Sequence, residues 1–318
     1  MSIHVNADNF VRAETHRMFR DIQAQAGGVG TFRHNRTPAS IDEQTVIRLN
    51  RDTLYSFAIV DLAEPARLTL PGAGNRYLSA MIVDEDHFVN AVFHEAGEYT
   101  LTSGQYGSRY VLVGVRILVD PNDSADVAAV AAIQDRLAID AGSSQTFVMP
   151  DYELESLNTT RDALLSLARG LDNFDRMFGA RAEVDPVRHL IGCAAGWGGL
   201  PSCEATYVGA DPNLTPGDYE LIFNDVPVGA FWSVSIYNAR GFFEPNEKDL
   251  YTVNSVTGEP NADGSITVHL VASAAGDIPP NAIVTPPGWN YLIRLYRPRA
   301  EILNGEWTPP KLTQHGCS

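Results

Sequence analysis

The run Val83-Asp84-Glu85-Asp86-His87-Phe88 puts three carboxylates and an imidazole in four consecutive positions. On an extended backbone, alternate side chains share a side, so Glu85 goes with His87 and Asp84 with Asp86. A carboxylate beside a histidine that titrates near neutrality makes a general acid/base pair. Either pair also offers ligands to a divalent metal. The competing reading is a polar turn between two strands, where Asp is common.

A second group gathers His34-Asn35-Arg36, Arg51-Asp52 and Tyr55. The planar fork of Arg51 suits a substrate carboxylate, and it suits equally a neighbouring acid that holds a turn. Asp52-Thr53 can cap local backbone N–H groups. Read as a catalytic site, the two groups give His87 as base or ligand, Glu85 or Asp52 as its partner, and His34 nearby. Arg51, Tyr55, Asn35 and Arg36 then bind substrate. Towards the C-terminus, alternation sets Trp232, Val234 and Ile236 against Ser233, Ser235 and Tyr237. The polar set faces water, as in most antiparallel sheets, or lines a pocket with His269, Arg294 and Tyr237 as its polar points.

Other chemistries lack their motifs. The chain has no G-x-S-x-G elbow, H-E-x-x-H, Walker loop or helix-opening G-x-G-x-x-G. Gly196, Gly198 and Gly199 around Trp197 read as tight backbone packing. The formal net charge of −16 repels phosphate backbones and anionic membranes, which argues against nucleic acid as a partner. No apolar run reaches the roughly 20 residues of a membrane helix, so no membrane insertion is expected. Met1–Val5 carries no basic-then-apolar leader, which predicts a soluble cytoplasmic protein, or a periplasmic or secreted one if a signal was removed. Cys193, Cys203 and Cys317 do not form a disulfide framework, although Cys193 and Cys203 could pair across a short loop.

The elements that must position these residues are mostly strands. The length of 318 residues suits two cores. An amphipathic helix is predicted over 6–26, stopped by Gly27-Gly28. Short strands follow over 45–49, 56–62, 67–70, 77–83, 88–93 and 110–119, spaced as in a sandwich. A helix is predicted from Asp120 to about Ile139. A second helical stretch opens with a Thr159/Asp162 capping box, and a third starts at Pro186. Strands return over 219–223, 231–237, 265–271 and 291–296. The organisation is thus an N-terminal helix (1–28), a sandwich with a closing helix (29–140), a helical segment (141–200) and a second sandwich (201–318).

Several stretches together carry a resemblance: Asn50-Arg51-Asp52-Thr53-Leu54-Tyr55, His189-Leu190-Ile191-Gly192 through Gly196-Trp197-Gly198-Gly199-Leu200-Pro201, Phe231 to Asn238, Ala262 to Ser265, and Pro287 to Trp307. The chain resembles bacterial proteins that pair domain of unknown function 1254 with domain of unknown function 1214, in that order. The resemblance implies a mainly β fold, an immunoglobulin-like sandwich and a jelly-roll-like sandwich joined by a small helical segment. Some relatives are named carboxylesterases or other hydrolases, and many carry an export signal.

Two functions follow as alternatives. One is a small-molecule enzyme, a hydrolase or lyase using acid/base chemistry in a pocket of the N-terminal sandwich, with a divalent metal as an open cofactor question. The other is a non-catalytic module that binds a small molecule or a partner. Exposed β edges suit a homodimer.

Overall fold

The structure, a computed structural model, describes residues 2–44, 47–171 and 173–314. The chain divides into two compact units. The first comprises residues 1–36, 54–118 and 125–202, and the second comprises 37–53, 119–124 and 203–318.

The first unit opens with α1 (Phe10–Ala26), which buries Phe10, Ala13, Phe19 and Ile22 on one face. Gly27 ends it in the left-handed region (φ 81°), and the N–H groups of Gly27 and Gly28 return to Ala24 and Gln23. The strands are β1 (Arg33–His34), β2 (Thr53–Leu70), β3 (Leu78–Val83), β4 (Val89–Phe93) and β5 (Gly97–Leu101). After the short α2 (Ser103–Tyr106) come β6 (Tyr110–Leu118), α3 (Ser124–Gln134) and β7 (Ala138–Ser143). One seven-stranded sheet runs β1-β2-β6-β3-β4, and β5 and β7 also pair with β2. Every residue of β3 and β6 is buried, as their near-continuous apolar runs require. The unit closes with α4 (Leu154–Ala168) and α5 (Pro186–Gly196). Phe10 and Ala13 of α1 share a core with Leu157, Leu164, Met177, Phe178, Ile191 and Cys193.

Several boundaries differ from the sequence reading. The strands predicted over 56–62 and 67–70 are one strand, β2, with an irregularity in its pairing to β7 between Asp61 and Ala66. The helix predicted to reach Ile139 ends at Gln134, because the following segment pairs with β2. Thr159 lies inside α4 rather than at its cap, since the helix has already begun at Leu154. Pro186 does open α5, behind Asp185, whose carboxylate accepts the N–H groups of Val187 and Arg188 at 3.0 and 3.1 Å. For the strand predicted over 45–49, Thr45 and Val46 lie outside the described residues, and Ile47-Arg48 is a turn. Cys193 and Cys203 do not pair with each other, and Cys317 lies outside the described residues.

Gly199 bears out the packing reading of the glycine-rich turn. A Cβ built there would stand 2.3 Å from a ring carbon of Phe178. We expect Gly199→Ala to destabilise the first unit by roughly 1–3 kcal/mol, the usual cost of overpacking. Phe178→Leu in the same chain should recover part of the loss in urea melts.

The second unit contains β8 (Ala205–Ala210), β9 (Tyr219–Phe223), β10 (Trp232–Tyr237), β11 (Thr252–Asn254), β12 (Ile266–Val271), β13 (Ala282–Val284), β14 (Asn290–Tyr296), α6 (Ala300–Leu303) and β15 (Thr313–Gln314). Two four-stranded sheets form, β11-β10-β14-β8 and β13-β12-β9-β15. Their apolar faces share one core: Trp232, Val234, Ile236, Ile293 and Leu295 from the first, Leu221, Phe223, Val268, Leu270 and Ile283 from the second.

Candidate functional site

The Asp84–Phe88 run is a reverse turn, not extended backbone. His87 N–H donates to the Asp84 carbonyl and Asp84 N–H to the Phe88 carbonyl, both at 3.1 Å. The Asp84 carboxylate locks the turn. Its Oδ1 accepts the N–H groups of Asp86 and Phe88 at 2.9 Å, and its Oδ2 accepts the Asn90 amide at 3.0 Å. His87 takes a positive φ of 63°. Side chains therefore do not alternate as on a strand here, and Glu85 and His87 enter different surroundings.

His87 is fully buried. Its Nε2 accepts the Gly198 N–H at 2.8 Å. The ring stacks on Trp197 and His189 and meets Phe178 edge-on. An accepting Nε2 leaves the proton on Nδ1, which is buried without a hydrogen-bond partner. Burial first, and then the neighbouring His189, push the His87 pKa down to about 3. The ring is therefore neutral and sealed from solvent at ordinary pH. His189 stacks on Phe88 at 4.7 Å and sets both ring nitrogens against carbonyl oxygens, of Met177 at 2.9 Å and Asp86 at 3.1 Å.

Glu85 points the other way, into a pocket of about 330 Å³. That volume is at the small end of small-molecule sites. Arg12 from α1, Asp84, Asp86, Phe88, Asn90, Arg181 and the 104–108 segment complete the lining. Glu85 Oε1 accepts the Tyr110 N–H at 3.0 Å. Its Oε2 lies 3.5 Å from His16 Nε2, long for a hydrogen bond. Burial alone would raise the Glu85 pKa, but His16, the Tyr110 N–H and Arg12 outweigh it and hold the carboxyl below its ordinary value. Asp86 is also held low, first by the fork of Arg12, which donates to both its oxygens at 2.7 and 2.6 Å. Arg181 lies 3.6 Å from Asp86 and 4.4 Å over the Phe88 ring. Asp84 is raised, by burial. His16, Arg12, Arg181 and Asn90 carry no sequence signal as a group, because three separate segments, α1, β4 and the loop before α5, bring them together.

The residues around His34 serve the fold of the first unit. His34 Nδ1 meets the Ser56 hydroxyl at 2.8 Å. Asn35 N–H donates to the Tyr55 carbonyl at 2.8 Å, and the Gln134 amide donates to the carbonyls of both. Arg36 donates to the Ala131 carbonyl at the end of α3 and to Asp135. Arg116 lies over the Tyr55 ring.

Arg51 and Asp52 belong to the second unit. There the polar face of β10 and β14 is buried, so the water-facing reading fails. Arg294 donates to Ser235 Oγ at 2.9 Å, to the Tyr237 hydroxyl at 2.7 Å and to the carbonyls of Arg48 and Leu49. Tyr237 in turn donates to the Leu49 carbonyl at 2.7 Å. Asp52, fully buried, accepts from Thr252 and Asn254 through Oδ1, while its Oδ2 is unpartnered. Burial raises the Asp52 pKa against the pull of Arg294. Arg51 donates to the Ala39 carbonyl and lies over the Tyr251 ring, its pKa lowered by burial. His269 is elsewhere, on β12 beside Glu220 at 3.4 Å. A second cavity of about 330 Å³ in this unit is walled by Pro216, Pro245, Pro286, Pro287 and Tyr251. Its acid, Glu244, is already held by the Asn238 amide at 2.7 Å. Among the described residues, no three His, Cys, Asp or Glu side chains converge as metal ligands, and no helix is long and apolar enough to cross a membrane.

These features define a mainly β protein of two units, the first carrying a helix-lined polar pocket. The chain matches two family models, "Protein of unknown function (DUF1254)" over residues 29–141 and "Protein of unknown function (DUF1214)" over 209–300, so it belongs to the proteins that pair these domains in this order. The VPA0106 protein from Vibrio parahaemolyticus has a similar crystal structure (TM-score 0.76, 18% identity, 97% of each chain covered). A putative uncharacterized protein from Burkholderia cenocepacia is more distant (TM-score 0.51, 15% identity, 96% of this chain and 85% of that one). No curated protein matches the chain. The structural likenesses concern fold alone.

Proposed function

We propose that this protein binds a small molecule in the Glu85 pocket of its first unit. The observation that carries this reading is an ionised Glu85 whose Oε2 makes no short hydrogen bond, set in a preformed polar cavity of ligand size. An acid/base enzyme, hydrolase or lyase, needs a titrating group open to substrate. His87 is sealed away and Glu85 is a weak base, so binding is the reading the geometry supports best.

Gly104 offers a clean test. It lines the pocket, and a Cβ there would meet no heavy atom within 4 Å. Gly104→Trp should therefore fill the cavity with little change in the unliganded melting temperature. A thermal-shift screen of polar amines, carboxylates and sugars at 1 mM should find compounds that stabilise the wild type. A dissociation constant of about 10 μM would add roughly 2.7 kcal/mol at that concentration, several degrees of shift. Gly104→Trp should lose the shift. Equal shifts in both proteins would place the ligand elsewhere.

A further inference from the structure

The charge inventory of the pocket narrows the ligand, on the premise that the pocket is the binding site. Three carboxylates face two guanidinium groups. Arg12 is held on Asp86 by two hydrogen bonds, while Arg181, with its side chain 75% exposed, stands 3.6 Å from Asp86 without a hydrogen bond to it. Asp84 spends both oxygens on the turn, accepting two backbone N–H groups and the Asn90 amide. Glu85 spends only Oε1, on the Tyr110 N–H. Behind it stands His16, 6% exposed, with Nε2 unpartnered and 3.5 Å from Glu85 Oε2. Apart from His16 at 3.5 Å, Glu85 Oε2 has spare accepting capacity, and neither guanidinium of the lining forms an ion pair with it. A ligand that brings an N–H donor with positive charge satisfies it, whereas a carboxylate or phosphate there would meet three carboxylates and could engage only the exposed Arg181 without displacing Asp86 from Arg12.

We propose that the pocket recognises a small primary amine, whose ammonium group pairs with Glu85 Oε2. The acidic character of the whole chain favours the approach of such a cation. The two charged ends of the lining are then complementary in role: Glu85 takes the ammonium, and Arg181 over Phe88 borders the rest of the molecule.

Isothermal titration calorimetry with four probes of one length tests this: 5-aminopentan-1-ol, 1,5-diaminopentane, pentane-1,5-diol and glutarate. The two amines should bind at least tenfold more tightly than the diol, and glutarate should not bind. Glu85→Gln keeps the acceptor for Tyr110 N–H but removes the charge, and it should weaken the amines by about 10- to 100-fold, the worth of a charge-assisted hydrogen bond. Gly104→Trp, which leaves Glu85 intact, should abolish amine binding and guards against a misfolded Glu85 variant. Tighter binding of glutarate or the diol, lost in Gly104→Trp, would overturn the amine assignment and leave the pocket reading standing. Amine binding that survives both substitutions would overturn both, as would the absence of binding by all four probes together with an empty thermal-shift screen.

Discussion

Lowering the pH from 7.5 to 5 should cost the first unit about 2 kcal/mol, and His87 should account for most of it. The direction follows from linkage. The folded-state pKa of His87 is about 3, against 6.5 for an unperturbed histidine. Above pH 6.5 the ring is neutral folded and unfolded, and its contribution is constant. Below 6.5 the unfolded chain takes up a proton that the folded chain refuses, so stability falls by about 1.4 kcal/mol per pH unit until pH 3. The total approaches roughly 4–5 kcal/mol, a large part of a typical domain's stability. The window from 6.5 to 5 is diagnostic because carboxylates of ordinary pKa have scarcely begun to titrate, and Asp84, raised by burial, is common to the two proteins compared below. His34, lowered by burial and by Arg36, acts in the same direction. His87→Asn therefore supplies the comparison, since Asn tolerates the left-handed backbone. That variant loses packing at every pH, and its urea-melt stability should be nearly flat between pH 7.5 and 5. An equal slope in both proteins would remove His87 from the explanation.

Arg294→Met should destabilise the second unit by about 3–5 kcal/mol, because it strips buried acceptors of their donor and leaves a buried carboxylate without a nearby cation. Arg294 is 3% exposed and ties β10, Tyr237 and the Arg48–Leu49 segment together. Its removal leaves the fully buried Asp52 without its nearby cation. Asp52→Asn keeps an acceptor for Thr252 and Asn254 and should cost less. In the Arg294→Met background it should recover stability. A double-mutant cycle by urea unfolding gives the coupling. Independent, additive effects would show that Asp52 and Arg294 do not act as a pair.

Most strands and their faces are legible in the sequence because apolar alternation reports burial directly. Trp232, Val234 and Ile236 point into the second core as predicted. The opposite face was not legible. Ser233, Ser235 and Tyr237 look solvent-facing, and only the return of residues 37–53 to this unit explains their burial. The Asp84–His87 run was recognisable as polar and important, but its geometry depended on the Asp84 side chain accepting two backbone N–H groups. That bond turns the chain, separates Glu85 from His87, and makes one a pocket carboxylate and the other a core ring. His16 and Arg12 sit in a helix read as merely amphipathic, and Arg181 in a loop. Convergence from separate segments leaves no local pattern to read.

Glu85 is proposed here as the recognition point of a small-molecule pocket. A crystal structure of the protein soaked in 5-aminopentan-1-ol tests it most directly. The compound should lie in the pocket lined by Arg12, Phe88 and Ser108, with its nitrogen about 2.7–3.0 Å from Glu85 Oε2. A compound bound there with its nitrogen turned away from Glu85, or an empty pocket at saturating concentration, would contradict it.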